Sequence, residues 1–363
     1  MKTSRSITLV TLCCWAFLLS TVIAPGAVRA ATWQATAGTE RTDHGIQALA
    51  FLPNELWIHV GDSITWTFPT PEIHTVTFLQ QSFLASPQQV RPARPGAGGG
   101  CPPPNPPTTP DGSSFNGSTC LTSPEIIVDT PTGNTYTVMF PTAGNFKLVC
   151  LVHNNMEGAV HVLASPELPF DQAFYDKQAQ KRQAELLSDG AGLKGQGTAT
   201  AQQSSRDAVS AGIGEIVATG GGSDTVSVMR FLQDSIVVRV GDTVEWTNLD
   251  PVTPHTVTFG TEPPGPPQPP SAGVPLDPDG ARHADVSSPT DNVHSGFLQA
   301  AFQDRGPPPP PKAAPPPPAV APLEQSPLTV TRFRVTFTKP GTFTYICALH
   351  DDLGMKGQVI VHR

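Results

Sequence analysis

A duplication constrains this chain more than any other feature. Residues 50–66 match residues 230–246 at a constant offset of 180. Phe51-Leu52 pairs with Phe231-Leu232, Val60-Gly61-Asp62 with Val240-Gly241-Asp242, and Trp66 with Trp246. Each copy runs on to a His-Thr-Val-Thr-Phe, at His74–Phe78 and His255–Phe259. The rear halves pair at an offset of 197, setting Phe140, Gly144, Phe146, Cys150 and His153 beside Phe337, Gly341, Phe343, Cys347 and His350. Both copies close on alternating valines, Val160/Val162 and Val359/Val361. Solenoid repeats are only ~20–50 residues long, so a period of this length means two copies of a whole domain.

Within each copy the periodicity is that of strands. Leu56-Trp57-Ile58-His59-Val60, Ile64-Thr65-Trp66-Thr67-Phe68 and Thr75-Val76-Thr77-Phe78 are short β-rich runs broken by Gly-Asp and Pro turns. Val226-Ser227-Val228, Ile236–Val240 and Arg334–Phe337 repeat the theme. Short strands at this spacing indicate an all-β chain of two tandem β-sandwiches. The offset changes inside each copy because an insertion splits it, at about 79–134 and about 260–328. These two pieces hold 31 of the 41 Pro. Pro307–Pro311 and Pro315–Pro318 are expected as polyproline II, and both insertions as solvated low-complexity loops. Gly, at 32 of 363 residues, is far below the third that collagen needs.

Between the copies, Asp171 is placed to cap a short connector helix ending near Leu187, with Phe170 and Tyr175 as its hydrophobic staple. Residues 190–211, rich in Gly, Ala, Thr, Ser and Gln, read as flexible linker. At the start, Lys2 and Arg5 precede an apolar run from Ile7 to Ala24, and Val28-Arg29-Ala30 offers the small residues a signal peptidase reads. The expected organisation is a signal peptide at 1–30, a first domain at 31–165, connector and linker at 166–211, and a second domain at 212–363. The protein is therefore expected to be exported, to the periplasm or the extracellular space. No later stretch is apolar enough to span a membrane. The formal charge of −8 becomes −11 once residues 1–30, with three cations and no anion, are removed. That balance excludes a nucleic-acid binder and suits cationic partners.

Of six cysteines, Cys13 and Cys14 fall in the signal. Export permits a disulfide. Cys101 and Cys120 share one Pro/Gly-rich loop, whose closure would contribute roughly 3 kcal/mol by chain entropy. Cys150 and Cys347 are left as isolated thiols. Each has a His and a Met just after it and a His far upstream. The first set is His74, Cys150, His153 and Met156; the second is His255, Cys347, His350 and Met355. Taken singly, a buried Cys is usually a small hydrophobe and a Met fills a core gap. The same four residue types at equivalent positions of two copies make a metal set. Two imidazoles and a thiolate with a weak axial thioether select copper and tune one-electron transfer. Two coppers per chain are expected.

Val240–Trp246, Pro254–Phe259 and Pro340–His350 resemble the plastocyanin and pseudoazurin branch of the cupredoxins. The first copy resembles the same family, with a His153-to-Met156 spacing similar to that of amicyanin. The resemblance covers roughly 200 residues, both domains without their insertions. It implies a Greek-key sandwich, with His74 or His255 at the start of one strand and the Cys-His-Met cluster in the loop joining the last two. It also implies that His153 and His350 emerge through an apolar surface patch that serves as electron port. The His-to-Cys gaps of 76 and 92 residues exceed the family's compact form. The insertions are expected to leave from the side or far end of each sandwich and to spare the copper sites.

The expected function is an exported electron carrier with two mononuclear blue copper sites, serving redox proteins such as c-type cytochromes or other cationic carriers. The alternative is copper sequestration or delivery. A two-domain oxidase or nitrite reductase would need His-x-His pairs and a His directly beside the ligand Cys. Val149 and Leu151 flank Cys150, Ile346 and Ala348 flank Cys347, and no His-x-His occurs. The sequence reading is accordingly that the chain is not an enzyme.

Overall fold

Alternation along the strands becomes alternation of burial. Strands Glu55–His59 and Ser63–Thr67 bury every second residue, placing Leu56, Ile58, Ile64 and Trp66 inside. Strands Ser235–Arg239 and Thr243–Leu249 do the same with Ile236, Val238, Val244 and Trp246. Fully burying one such side chain contributes about 1.5–3 kcal/mol. Two separate cores result, one centred on Trp66, Phe78 and Phe146 and the other on Trp246, Phe259 and Tyr345. The computed structural model describes residues 30–80, 107–128, 133–153, 155–165, 167–204, 207–263, 271, 274–300, 329–330 and 332–363. The expected signal peptide, the polyproline tracts and Cys101 lie outside these residues, so the Cys101–Cys120 pairing does too. Among the described residues no helix is long and apolar enough to cross a membrane.

Each domain is a sandwich of two sheets. One face of the first is the five-stranded sheet that includes Glu55–His59, Gly144–Val149 and Glu157–Leu163; its counterpart in the second includes Ser235–Arg239, Gly341–Ile346 and Lys356–His362. The other two faces are a single object. Strand Ile46–Leu52 of the first domain pairs antiparallel with Ser223–Leu232 of the second, with Val226 opposite Ala48 and Val228 opposite Ile46. The two facing sheets thereby fuse into one of ten strands. Fusion removes the exposed edge that each domain would otherwise present, and it holds the two sandwiches in a fixed relation.

Helix Gln172–Ser204 lies across this junction. Its start is as the sequence implies, since the Asp171 carboxylate accepts the Phe174 amide at 2.9 Å. Its length is not. In place of the expected short helix and of much of the flexible linker over 190–211, continuous helix runs to Ser204, and strand Ala208–Ala218 takes up the last part of that range. The physical reason is close packing. A Cβ at Gly190 would collide with Ile46 and Val226, and one at Gly197 with Leu232. These glycines let the helix axis approach the sheet, and Leu186 completes the cluster with Ile46, Ala48, Ala50, Leu52, Val226, Val228 and Leu232. Both junction strands are buried on both faces for this reason.

The insertions also differ from expectation. Their described parts include short edge strands. Leu121–Thr122 pairs with Thr77–Phe78, Arg282–Val286 pairs with Arg332–Phe337, and Val293–His294 pairs with Thr258–Phe259. They lie at the sides of the sandwiches, one of the two exits expected, and two of them pair with the strands that follow the upstream His. Ile126 bridges His74 and Leu298 bridges His255, each through paired backbone hydrogen bonds of 2.7–3.0 Å.

Candidate metal centres

The structure brings the two His and the Cys of each predicted set together. His74, Cys150 and His153 form one buried cluster, and His255, Cys347 and His350 form the other. In each, the three ligand atoms lie within 4.8 Å of one another. In the first the two imidazole Nδ1 atoms are 3.2 Å apart, and Cys150 Sγ is 3.8 Å from His153 Nδ1. In the second the Nδ1 atoms are again 3.2 Å apart, with Cys347 Sγ at 3.4 Å from His350 and 3.9 Å from His255. A first-row metal at ~2.0 Å from nitrogen and ~2.3 Å from sulfur, in a trigonal plane, needs N···N near 3.5 Å and N···S near 3.7 Å. The donors stand at that separation, so they fit copper.

The local fold sets this geometry. The upstream His is fixed by the insertion's bridge to its backbone. Its far edge is packed against glycine: Gly38 and Gly212, both at φ +80, lie where any Cβ would collide with His74 or His255. Among the described residues neither His74 Nε2 nor His255 Nε2 finds a hydrogen-bond partner. The other ligands sit on the loop between the last two strands. There the Cys amide donates to the Met carbonyl at 3.0 Å in both copies, and Asn155 and Gly354, immediately before the Met, take positive φ. Met156 and Met355 are fully buried. The differing loop lengths are thus absorbed before a common closing turn. Around the thiols, the Thr75 amide donates to Cys150 Sγ at 3.5 Å and the Thr256 amide to Cys347 Sγ at 3.3 Å. The hydroxyls of these threonines accept the Leu151 and Ala348 amides at 2.8 and 2.7 Å, clamping the loop to the His strand.

Burial alone would raise the thiol pKa of each Cys. The two imidazoles beside it outweigh that and hold both thiols well below their ordinary range. Each cluster is therefore ready to present a thiolate.

One expectation fails. His153 and His350 do not emerge through a surface patch; their exposures are 3% and 4%. The fused sheet turns the two ligand loops toward each other, and Val252 of the second domain packs into the core of the first. Arg230 ties the halves further, donating to the Leu353 carbonyl at 2.7 Å and to the Asp43 carbonyl. Between the loops stands Glu72, a residue that sequence reasoning missed. One of its oxygens accepts His153 Nε2 at 3.0 Å, and the other lies 3.8 Å from His350 Nε2. Burial works against the Glu72 charge, but the His153 hydrogen bond and the nearby imidazoles hold its pKa down to about 2. Burial disfavours the imidazolium at both ligands, but Cys150 and this carboxylate push His153 up to about 10, and Cys347 with the same carboxylate pushes His350 up to about 8. Its only sequence signal is that the residue two before the ligand His is Glu72 in one copy and Thr253 in the other. Among the remaining histidines, His161 bonds Asn145 and Glu55, and His283 bonds Asp277 and Thr336.

Residues 329–362 match the family model for copper binding proteins of the plastocyanin/azurin family. No curated protein matches the chain in sequence. Among solved structures, plastocyanin from Dryopteris crassirhizoma is similar at 20% identity, covering 43% of this chain and 99% of its own, with a TM-score of 0.21. A blue copper oxidase from Nitrosomonas europaea (10% identity, TM-score 0.21) covers 92% of this chain and 86% of its own. A copper-containing nitrite reductase from Thermus scotoductus (13% identity, TM-score 0.21) covers 92% and 68%. The reading that the chain is not an enzyme is corrected here, because the similar structures spanning most of its length are enzymes. The missing His-x-His pairs argue against one design of catalytic centre and do not bear on others. The C-terminal sandwich carries the plastocyanin/azurin-family match in residues 329–362, the N-terminal sandwich repeats its fold and ligand set, and the chain has a two-domain cupredoxin-like fold with two candidate copper sites.

Proposed function

We propose that the protein uses both sites as type 1 copper centres that move single electrons. The duplicated cluster of two imidazoles and a thiolate, buried and pre-set at metal-ligand separation, carries this reading. Copper held there supplies a one-electron couple with little rearrangement between its oxidation states. The chain's own part is to fix the imidazoles, keep the thiols deprotonated and exclude water. The basic, apolar start of the sequence supports export, and the acidic balance supports cationic redox partners such as c-type cytochromes. A Cys101–Cys120 disulfide is proposed with the same exported setting.

Spectroscopy of the copper-loaded chain tests this. Two coppers per chain, an intense visible thiolate-to-copper band and narrow copper hyperfine splitting are expected. Two tightly bound coppers without that band would overturn the redox reading in favour of sequestration or delivery. Oxygen and nitrite consumption measured on the same samples tells a carrier from a redox enzyme.

A further inference from the structure

We infer that Glu72 joins the two copper sites into one redox unit, with an electron passing between them along His153, Glu72 and His350. This rests on the electron-transfer reading above. The two imidazoles that would carry electrons to an outside partner are buried, and each turns its Nε2 toward the same carboxylate, at 3.0 and 3.8 Å. A buried carboxylate is costly unless paired. It is not part of the duplicated ligand scaffold either. The second copy builds an equivalent cluster with Thr253 in its place, and Thr253 turns instead to Ser227 at 3.2 Å. Its position between the loops is held by the fused sheet, the helix across it and the Arg230 tie.

The placement also sets a direction. A fixed negative charge favours the more positive, oxidised state of a nearby centre. Glu72 lies closer to His153 than to His350, so the N-terminal centre has the lower potential. In the transfer the N-terminal centre loses one electron and the C-terminal centre gains it. No bond forms or breaks, and both Nε2 protons stay in place.

The test uses the full copper-loaded chain. One centre is reduced by a radiolytic pulse and the bands are followed, with potentials assigned by single-site Cys variants. The wild type is expected to show a concentration-independent phase that moves the electron to the C-terminal centre. Glu72→Gln should keep both blue bands and slow that phase on the order of tenfold or more, the usual cost of removing a group that orients a ligating His. It should also raise the N-terminal potential more than the C-terminal one. An unchanged phase in the variant, or none in the wild type, overturns the inference while leaving the blue centres standing. Absence of the blue bands in the wild type removes the electron-transfer reading and this inference together. A readout without mutation is the His153 Hε2 proton of the reduced chain. It should exchange slowly and lie far downfield, and rapid exchange with water would overturn the bridge.

Discussion

The two sandwiches share ligands, closing turn and the threonine clamp at the thiol, yet only the first supplies the carboxylate, Glu72, that stands between the two centres. His74 and His255 are walled by glycines at the same φ, and both His pairs stand 3.2 Å apart. Glu72 faces Thr253 across that symmetry, and His153 is pushed to about 10 where His350 reaches about 8. The duplication preserves what a centre needs to exist. The differences sit on the side where the centres face each other, which is where they can set one potential against the other.

The hardest blow to the comparison is removal of one thiolate. Cys150→Ala and Cys347→Ala should each abolish one blue centre, lower copper from two per chain to one, and leave the other band in place; copper analysis with visible absorbance checks this. Loss of both bands from either variant would break the independence of the two ligand sets. Next comes Gly38→Ala or Gly212→Ala. Both force a Cβ into the ligand imidazole at a φ that L residues resist, costing about 1–3 kcal/mol for the backbone alone. Denaturation of the copper-loaded protein should show that loss, with the visible band altered only at the centre of the mutated copy.

Acid should separate the copies more gently. In the metal-free protein Glu72 has a folded pKa of about 2, below its ordinary 4.5. Its contribution to stability is therefore present above pH 4.5 and is lost as pH falls from there toward 2. Thr253 has no such group to lose. Denaturant midpoints of the metal-free chain should fall across that window in the wild type and fall less in Glu72→Gln. Equal slopes would remove the asymmetry from the comparison.

The ligands were legible because each stands twice at matching offsets, which turns four commonplace residues into a set. The sandwiches were legible for a similar reason, since period-2 burial needs only local sequence. Glu72 was not legible, because it occurs in one copy and gains its meaning from His350, far along the chain and brought near only by the fused sheet. The edge strands were hidden inside insertions whose Pro content reads as loop. The buried positions of His153 and His350 follow from the domain pairing, and a resemblance to a single-domain family carries no information about that pairing.

The connector offers the smallest effect and a clean contrast within one helix. Gly and Ser written over 190–204 look like linker, yet the chain is helical there because tertiary packing overrides propensity. Gly190 and Gly197, one heptad apart, face the sheet; Gly192 and Gly195 have open space where a Cβ would go. Alanine at Gly192 or Gly195 should therefore stabilise by about 0.5–1 kcal/mol, the ordinary gain of replacing an exposed helical glycine. The same change at Gly190 or Gly197 pushes a methyl into Ile46 and Val226 or into Leu232, and should cost about 1–3 kcal/mol. Thermal unfolding of the four single variants reads the sign directly. If all four stabilise, the helix does not press on the junction strands, and the fixed facing of the two copper sites loses one of its supports.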